Sequence, residues 1–260
     1  MTSITVKGAD FSAGQLSNYV PPVAGATLAA FVGDERKSFA LRNFGSGKDL
    51  SVYAGDPQYQ GKGFRRFGPG QAFLTDSYYT EQMTFLAVCK SVYPLGSSRY
   101  GILIASERDA TDGGRRGVGM ARIPSSDYWR VNVNGTLSGA AASASATTSA
   151  SGITEANSAG FLSATVGKGA AANTVALAIN RYTDPAKSGS AVSAANATFA
   201  PATDEQSSPL LVGFHYRGGT NYDPLDIGFM AVYSRILTAD EIATMYQSVR
   251  RRFASLGVSI

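Results

Sequence analysis

The sequence predicts an all-β protein, an antiparallel β-sandwich or jelly roll finished by one C-terminal amphipathic helix. Three observations predict it. Short runs of β-branched and aromatic residues recur roughly ten or more times between Gly, Pro, Asn and Asp turns. Helical periodicity is confined to one segment near the end. No repeat of fixed period breaks the chain into modules, and 260 residues suit a single large β domain.

Residues 1–26 read as an arm. "SITVKGADF" offers one short strand, and the two prolines of "NYVPPVAG" remove backbone donors that a ladder would need. The domain proper is expected over residues 27–260. Strand signals run through "ATLAAFVG" and "SFALRNF" to a turn at "GSGKD", then "LSVYAGDP", "QAFLTDSYY" and "MTFLAVCKSVY". In the last of these Met83, Phe85, Ala87 and Cys89 take one face and Leu86 and Val88 the other, which predicts an interior strand. "RYGILIAS" places Tyr100, Ile102 and Ile104 on one face. "YWRVNVNGT" alternates Trp129, Val131 and Val133 with Arg130, Asn132 and Asn134, and Asn134-Gly135 predicts a hairpin turn. Trp129 is expected in the core. Residues 138–152, "SGAAASASATTSASG", are small and polar and are expected to form a mobile loop, structural or adapted to binding. "FLSATVG", "NTVALAIN", "PLLVGFHY" and "DIGFMAVYSR" complete the strands.

The helix follows directly. Thr238 is placed as N-cap, and Glu241 three residues on completes a capping box. Asp240 and Glu241 suit the positive end of the helix and Arg250, Arg251 and Arg252 the negative end. Ile242, Met245, Tyr246, Val249 and Phe253 share one face, which must pack on the sheet the chain has just left. The arginine triplet reads as a solvated helix end or as an anionic contact.

Composition narrows the functional classes. Charged residues make up 16%, the net charge is +4, and no dense Lys/Arg block with interleaved aromatics suggests a nucleic-acid groove. The single cysteine, Cys89, excludes an intrachain disulfide and reads as a small buried hydrophobe. No apolar run is long enough to span a bilayer as a helix, and the N-terminus shows no signal-peptide h-region.

The closing strand "IGFMAVYSR", with Ile-Leu, the Thr cap, "ADEI" and the final helix, resembles the C-terminal signature of laminin G-like, concanavalin A-like jelly rolls. "RNFGSGKDLSVYAGDP", "AFLTDSYYTEQMTFLAVCKS" and "VALAIN" with "PLLVG" are similar to segments in the same order in that family, so the resemblance covers about residues 27–256. It implies a fold that binds carbohydrates and proteins more often than it catalyses. The opening "ITVKGADFSAG…YVPPVAG" resembles small bacteriophage and prophage virion proteins. That implies synthesis in a bacterial cytoplasm, release by lysis without a signal peptide, a homo-oligomer within the particle, and contact with other virion proteins through residues 1–26.

No catalytic residues are assigned. Glycoside hydrolysis needs two carboxylates about 5–9 Å apart, whereas Asp109, Asp112, Asp127, Glu155, Asp184, Asp204, Glu205, Asp223 and Asp226 are scattered. His215 is the one histidine, which leaves little material for relays or His-based metal sites, and it reads as structural or surface. "GKGFRRFGPG" lacks the context of a phosphate loop. No cofactor is expected. Calcium would find Asp112 and Asp223 in turn-rich loops, where turn geometry alone also explains them. Two loops present ligand-binding side chains. "HYRGGTNYDP" carries Tyr216, Arg217, Asn221, Tyr222 and Asp223, which join ring faces to hydroxyl-directed polar groups. "SERDATDGGRRGVG" carries Arg115 and Arg116, suited to acidic sugars or phosphate. The expected function is a non-enzymatic, lectin-like virion protein, in tail or capsid, touching host surface glycans or neighbouring subunits. The alternatives are a structural decoration protein without a sugar ligand and a glycan-degrading enzyme.

Overall fold

The computed structural model describes residues 19–92, 99–109, 115–123, 128–137, 140–149, 159–170, 174–182, 189–193, 208–218 and 222–260. Two eight-stranded sheets pack face to face. With strands numbered along the chain, the first sheet runs β14 (Gly189–Ser193), β13 (Val175–Arg181), β12 (Gly160–Lys168), β6 (Met83–Ser91), β16 (Leu225–Tyr233), β4 (Phe64–Phe67) and β3 (Gln58–Gly61), and β1 (Ala26–Ala30) also pairs with β16. The second runs β11 (Ala140–Ser149), β10 (Tyr128–Leu137), β9 (Arg115–Ile123), β7 (Gly101–Ala105), β15 (Pro209–Val212), β5 (Ala72–Tyr78) and β2 (Ser51–Ala54), and β8 (Arg108–Asp109) also pairs with β9. The ladders between these strands are antiparallel, so the fold is the antiparallel sandwich that the alternation predicts.

The two inner faces form one core. Met83, Phe85, Ala87 and Cys89 of β6 meet Val118, Met120, Trp129, Val131 and Val133 from the other sheet. Trp129 is fully buried, as its alternation predicts, and burial pushes the Cys89 thiol well above its ordinary pKa. Leu86 and Val88 point the other way, onto a second cluster outside the first sheet. That cluster is made by α2 (Ala239–Ser255), whose Ile242, Met245, Val249 and Phe253 bury against Phe161, Phe229 and Tyr233. Tyr246 is half-buried beside Phe161. The capping box is formed in full: Glu241 N donates to Thr238 Oγ1 at 3.3 Å, and Thr238 N donates to Glu241 Oε2 at 2.9 Å. The Arg235 guanidinium on the same carboxylate, with the Thr238 amide, holds the Glu241 pKa down at about 2. Of the arginine triplet, Arg250 and Arg251 are exposed, while Arg252 lies 3.6 Å from Asp34.

Four expectations need correction. "SFALRNF" contains no strand: Lys37–Ala40 is a single helical turn, α1, that buries only Ala40. Asn134-Gly135 is not a turn. Asn134 pairs with Gly117 on one side and Ser143 on the other, and reversal there would forfeit Gly135↔Ala142, Thr136↔Ala141 and Leu137↔Ala140. Within the expected loop 138–152, Ala140–Ser149 is a strand paired over ten residues. Its composition is of low complexity but its period is two. Ala144, Ala146 and Thr148 are buried, whereas Ser143, Ser145 and Thr147 are exposed. Small inward side chains let β11 approach β13 and β14 of the opposite sheet. Finally, a register shift between Ile102 and Ile104 sends Ile104 into the core and leaves Ile102 on the outer face. The hairpin of β3 and β4 and the strands β8, β9 and β14 were not anticipated.

Of the expected arm, residues 1–18 lie outside the described residues. Tyr19 and Val23 pack on the body: Tyr19 makes an edge contact with Phe31 at 5.0 Å, and Val23 is buried in the cluster under α2. Among the described residues no helix is long and apolar enough to cross a membrane.

Candidate functional site

Among the described residues no helix lies on the outer face of the second sheet, and a cleft of about 400 Å³ opens there. Two ladder rows make its floor. In one row Leu211, Ala105, Gly119, Asn132 and Ser145 are successive partners, and in the next Ile102, Ala121, Arg130 and Thr147. Directly opposed residues share a face, so the outward row residues reach the same surface. The concavity comes from small residues. A Cβ on Gly119 would stand 2.6 Å from Glu107 Oε1 and 3.3 Å from Asn132 Oδ1, so any side chain there would displace the Glu107 carboxylate from its place beside Asn132.

The wall is the chain on either side of residues 219–221. Gly213, at φ +92°, turns the backbone out of β15 where a Cβ would meet the Phe67 ring at 2.1 Å. Phe214 and His215 then fold over the sheet with their rings stacked at 4.9 Å. Tyr222 returns beside them, edge-on to His215 at 4.7 Å, and its backbone bridges Tyr100. The Tyr216 amide donates to the Glu107 carbonyl, and its hydroxyl donates to the Pro209 carbonyl at 2.8 Å.

The polar groups are specifically held. Asn132 Nδ2 donates to Glu107 Oε1. Arg217 Nε donates to Asp109 Oδ1 at 2.6 Å. The Arg217 amide donates to His215 Nδ1 at 3.1 Å, so the neutral ring carries its proton on Nε2, which lies 2.5 Å from the Tyr222 oxygen. Burial pulls the His215 pKa below its ordinary value despite the opposing charge of Glu107. Arg130 lies with its guanidinium carbon 5.4 Å from the centre of the Tyr100 ring.

The structure divides the residues singled out in the sequence. Arg217 and Tyr222 line the cleft. Tyr216 stands outside it against Tyr53 at 5.4 Å, and burial, with Tyr53 and Tyr78 nearby, pushes its hydroxyl up to about 12. Asp223 is buried, and its Oδ2 accepts no hydrogen bond among the described residues. Arg116 is buried on β9, away from the cleft lining. Arg115 contributes its backbone opposite Asp109, and its side chain, Asn221 and Asp112 lie outside the described residues. No cluster of three metal-ligating side chains occurs among the described residues, so the calcium expectation gains no support from Asp223.

Glu107, Arg130, Asn132 and Tyr100 were missed as site residues. The signal for Arg130 and Asn132 was present in the strict alternation of "WRVNVN", which sends them outward from an interior strand. Glu107 lay within a loop already singled out, overshadowed by its arginines. Tyr100 could not be found this way, because only the parallel bridge to Tyr222 brings it to the site.

No family model matches the sequence, and no curated protein matches it. Solved structures do. The chain superposes on the binding domain of botulinum neurotoxin DC in complex with SialylT with a TM-score of 0.58 and 10% identity, over 86% of this chain and 52% of that one. The serotype D binding domain gives 0.55 and 15%, over 86% and 51%. The Trypanosoma rangeli sialidase, solved with 2,3-difluorosialic acid as a covalent intermediate, gives 0.54 and 13%, over 89% and 34%. The chain thus spans about half the length of the neurotoxin binding domains. The likeness establishes a concanavalin A-like jelly-roll sandwich.

Proposed function

We propose that this chain is a non-enzymatic glycan-binding module and that the cleft on the open sheet is its saccharide site. One observation carries the reading: Tyr100 and Tyr222, two rings suited to the apolar faces of sugars, converge with Arg130, Asn132 and Arg217 over a floor cleared by Ala105, Gly119 and Ala121. The exposed hydroxyls of Ser145 and Thr147 continue the same rows beyond the cleft. The shared fold with a binding domain solved in complex with SialylT supports a carbohydrate ligand. Glu107 is the one carboxylate among the described lining residues, and it accepts from Asn132. Hydrolysis by paired acids would need a second carboxylate facing it across the bond.

The finer reading sets this module on a phage particle, held to other virion proteins through the N-terminal segment and homo-oligomeric there. The resemblance of that segment to virion proteins supports it. Because Tyr19 and Val23 belong to the body, the truncation that tests attachment ends before Tyr19. A glycan array followed by calorimetry tests the binding site. Saturable binding lost on altering the cleft is expected. No binding at millimolar saccharide would favour a decoration protein, and release of reducing ends would favour an enzyme.

A further inference from the structure

Among the charged groups of the cleft, Arg130 stands apart. Arg217 is paired with Asp109, and Glu107 accepts from Asn132. Arg130 has no ion pair or hydrogen bond among the described residues, and its Nε is buried with no acceptor. Among the described residues its guanidinium meets the Tyr100 ring and no carboxylate within ion-pair distance. A half-buried cation without a partner is costly, and a planar guanidinium positioned against an aromatic ring is preorganised for a planar anion.

We propose that Arg130 is the anion-recognising residue of the cleft and that the ligand is a saccharide bearing a carboxylate. This rests on the saccharide reading of the same site. One uncompensated positive charge matches one negative charge. A phosphate monoester, which carries nearly two, would place excess charge beside the Glu107 carboxylate. The neighbouring groups suit the rest of an acidic sugar. Thr147 is the ladder partner of Arg130, Ser145 is the partner of Asn132, and both hydroxyls are exposed on that face. The carboxylate would sit on the Arg130 fork, with ring hydroxyls along the Thr147 and Ser145 rows.

The test compares sugars that differ in one carboxylate. Sialyllactose is titrated against lactose, and an oligogalacturonide against its methyl ester, with a sugar phosphate as a third arm, by calorimetry of the full chain at low and high salt. The acidic member of a pair is expected to bind about tenfold or more tightly than its neutral partner. Salt should shrink that preference, because the contact is partly exposed. Arg130→Gln should abolish the preference, so that the acidic and neutral members of a pair bind with similar, weak affinity. Arg130→Lys, which keeps charge but loses the fork, should retain part of it. Equal binding of both members by the wild type overturns the acidic-sugar assignment and leaves the saccharide reading standing. Binding of none overturns both. A preference that survives in Arg130→Gln overturns the role of Arg130, and tighter binding of the sugar phosphate overturns the carboxylate. If Arg130→Gln does not fold, the wild-type pairs and Arg130→Lys decide the matter.

Discussion

The two outer faces of this sandwich are built from the same kind of strand and have opposite fates. On the first sheet, β16 is buried at all nine positions, because Phe229, Ala231 and Tyr233 face α2 while Ile227, Met230 and Val232 face the core. On the second sheet, the outward residues of β10 are Arg130, Asn132 and Asn134, and no helix among the described residues lies over them. A strand covered on both sides is apolar on both sides, and a strand left open alternates. The difference locates function. The covered face is committed to stability, while the open face keeps polar groups, small floor residues and a cleft.

The strongest way to break this contrast is to place the same charge on each face. Met245→Asp puts an unpaired carboxylate under α2, where Met245 is fully buried, and should destabilise the fold by about 3 kcal/mol. Thr147→Asp on the open face should change stability by less than about 0.5 kcal/mol. Denaturant unfolding of both variants checks it, and similar losses would mean that the open face is covered in solution. Next in size is Tyr222→Ala. It should weaken saccharide binding by about 1–2 kcal/mol, the scale of a lost aromatic contact, as read by calorimetry. Its ring also packs against Phe214 and His215, so melting must be followed alongside. Thr238→Ala removes the acceptor for the Glu241 amide and should lower stability by about 1 kcal/mol without altering binding. A change in affinity would show that the two faces are coupled.

The smallest effect sharpens the contrast through pH. Neutral His215 accepts the Arg217 amide and meets Tyr222, with Glu107 and Asp109 nearby, and its folded pKa lies below its ordinary value of 6.5. The unfolded chain therefore takes up the proton first as pH falls. Stability from the neutral ring is fully present above about pH 6.5 and declines as pH drops through that value toward the depressed folded pKa. Urea midpoints from about pH 8 to about pH 5 should show a shallow decline that His215→Gln removes. Acid also releases protein stability at Glu241, but from 4.5 downward, as pH falls toward its folded value of about 2.

Local sequence signals specified the fold class and much of the core. Apolar alternation named the core residues of β6 and β10, and the Thr238–Glu241 box with its apolar stripe named α2 and the face it buries. Those signals are local: period two, period 3.6 and a cap each follow from a few neighbouring residues. Composition misled where period mattered, so Ala140–Ser149 looked like a loop, and a turn motif misled where two ladders held the chain extended at Asn134-Gly135. The site divides the same way. Arg217 and Tyr222 could be read from a loop rich in Gly, Tyr and Arg, and Arg130 and Asn132 were pointed outward by their alternation. Long-range pairing sets β7, β9 and β10 side by side, leaves a hollow at Gly119 between Glu107 and Asn132, and brings Tyr100 to Arg130 from thirty residues away. Strand order and register are set by pairings between distant segments, whose energies depend on every other strand finding its place, and no local pattern encodes them.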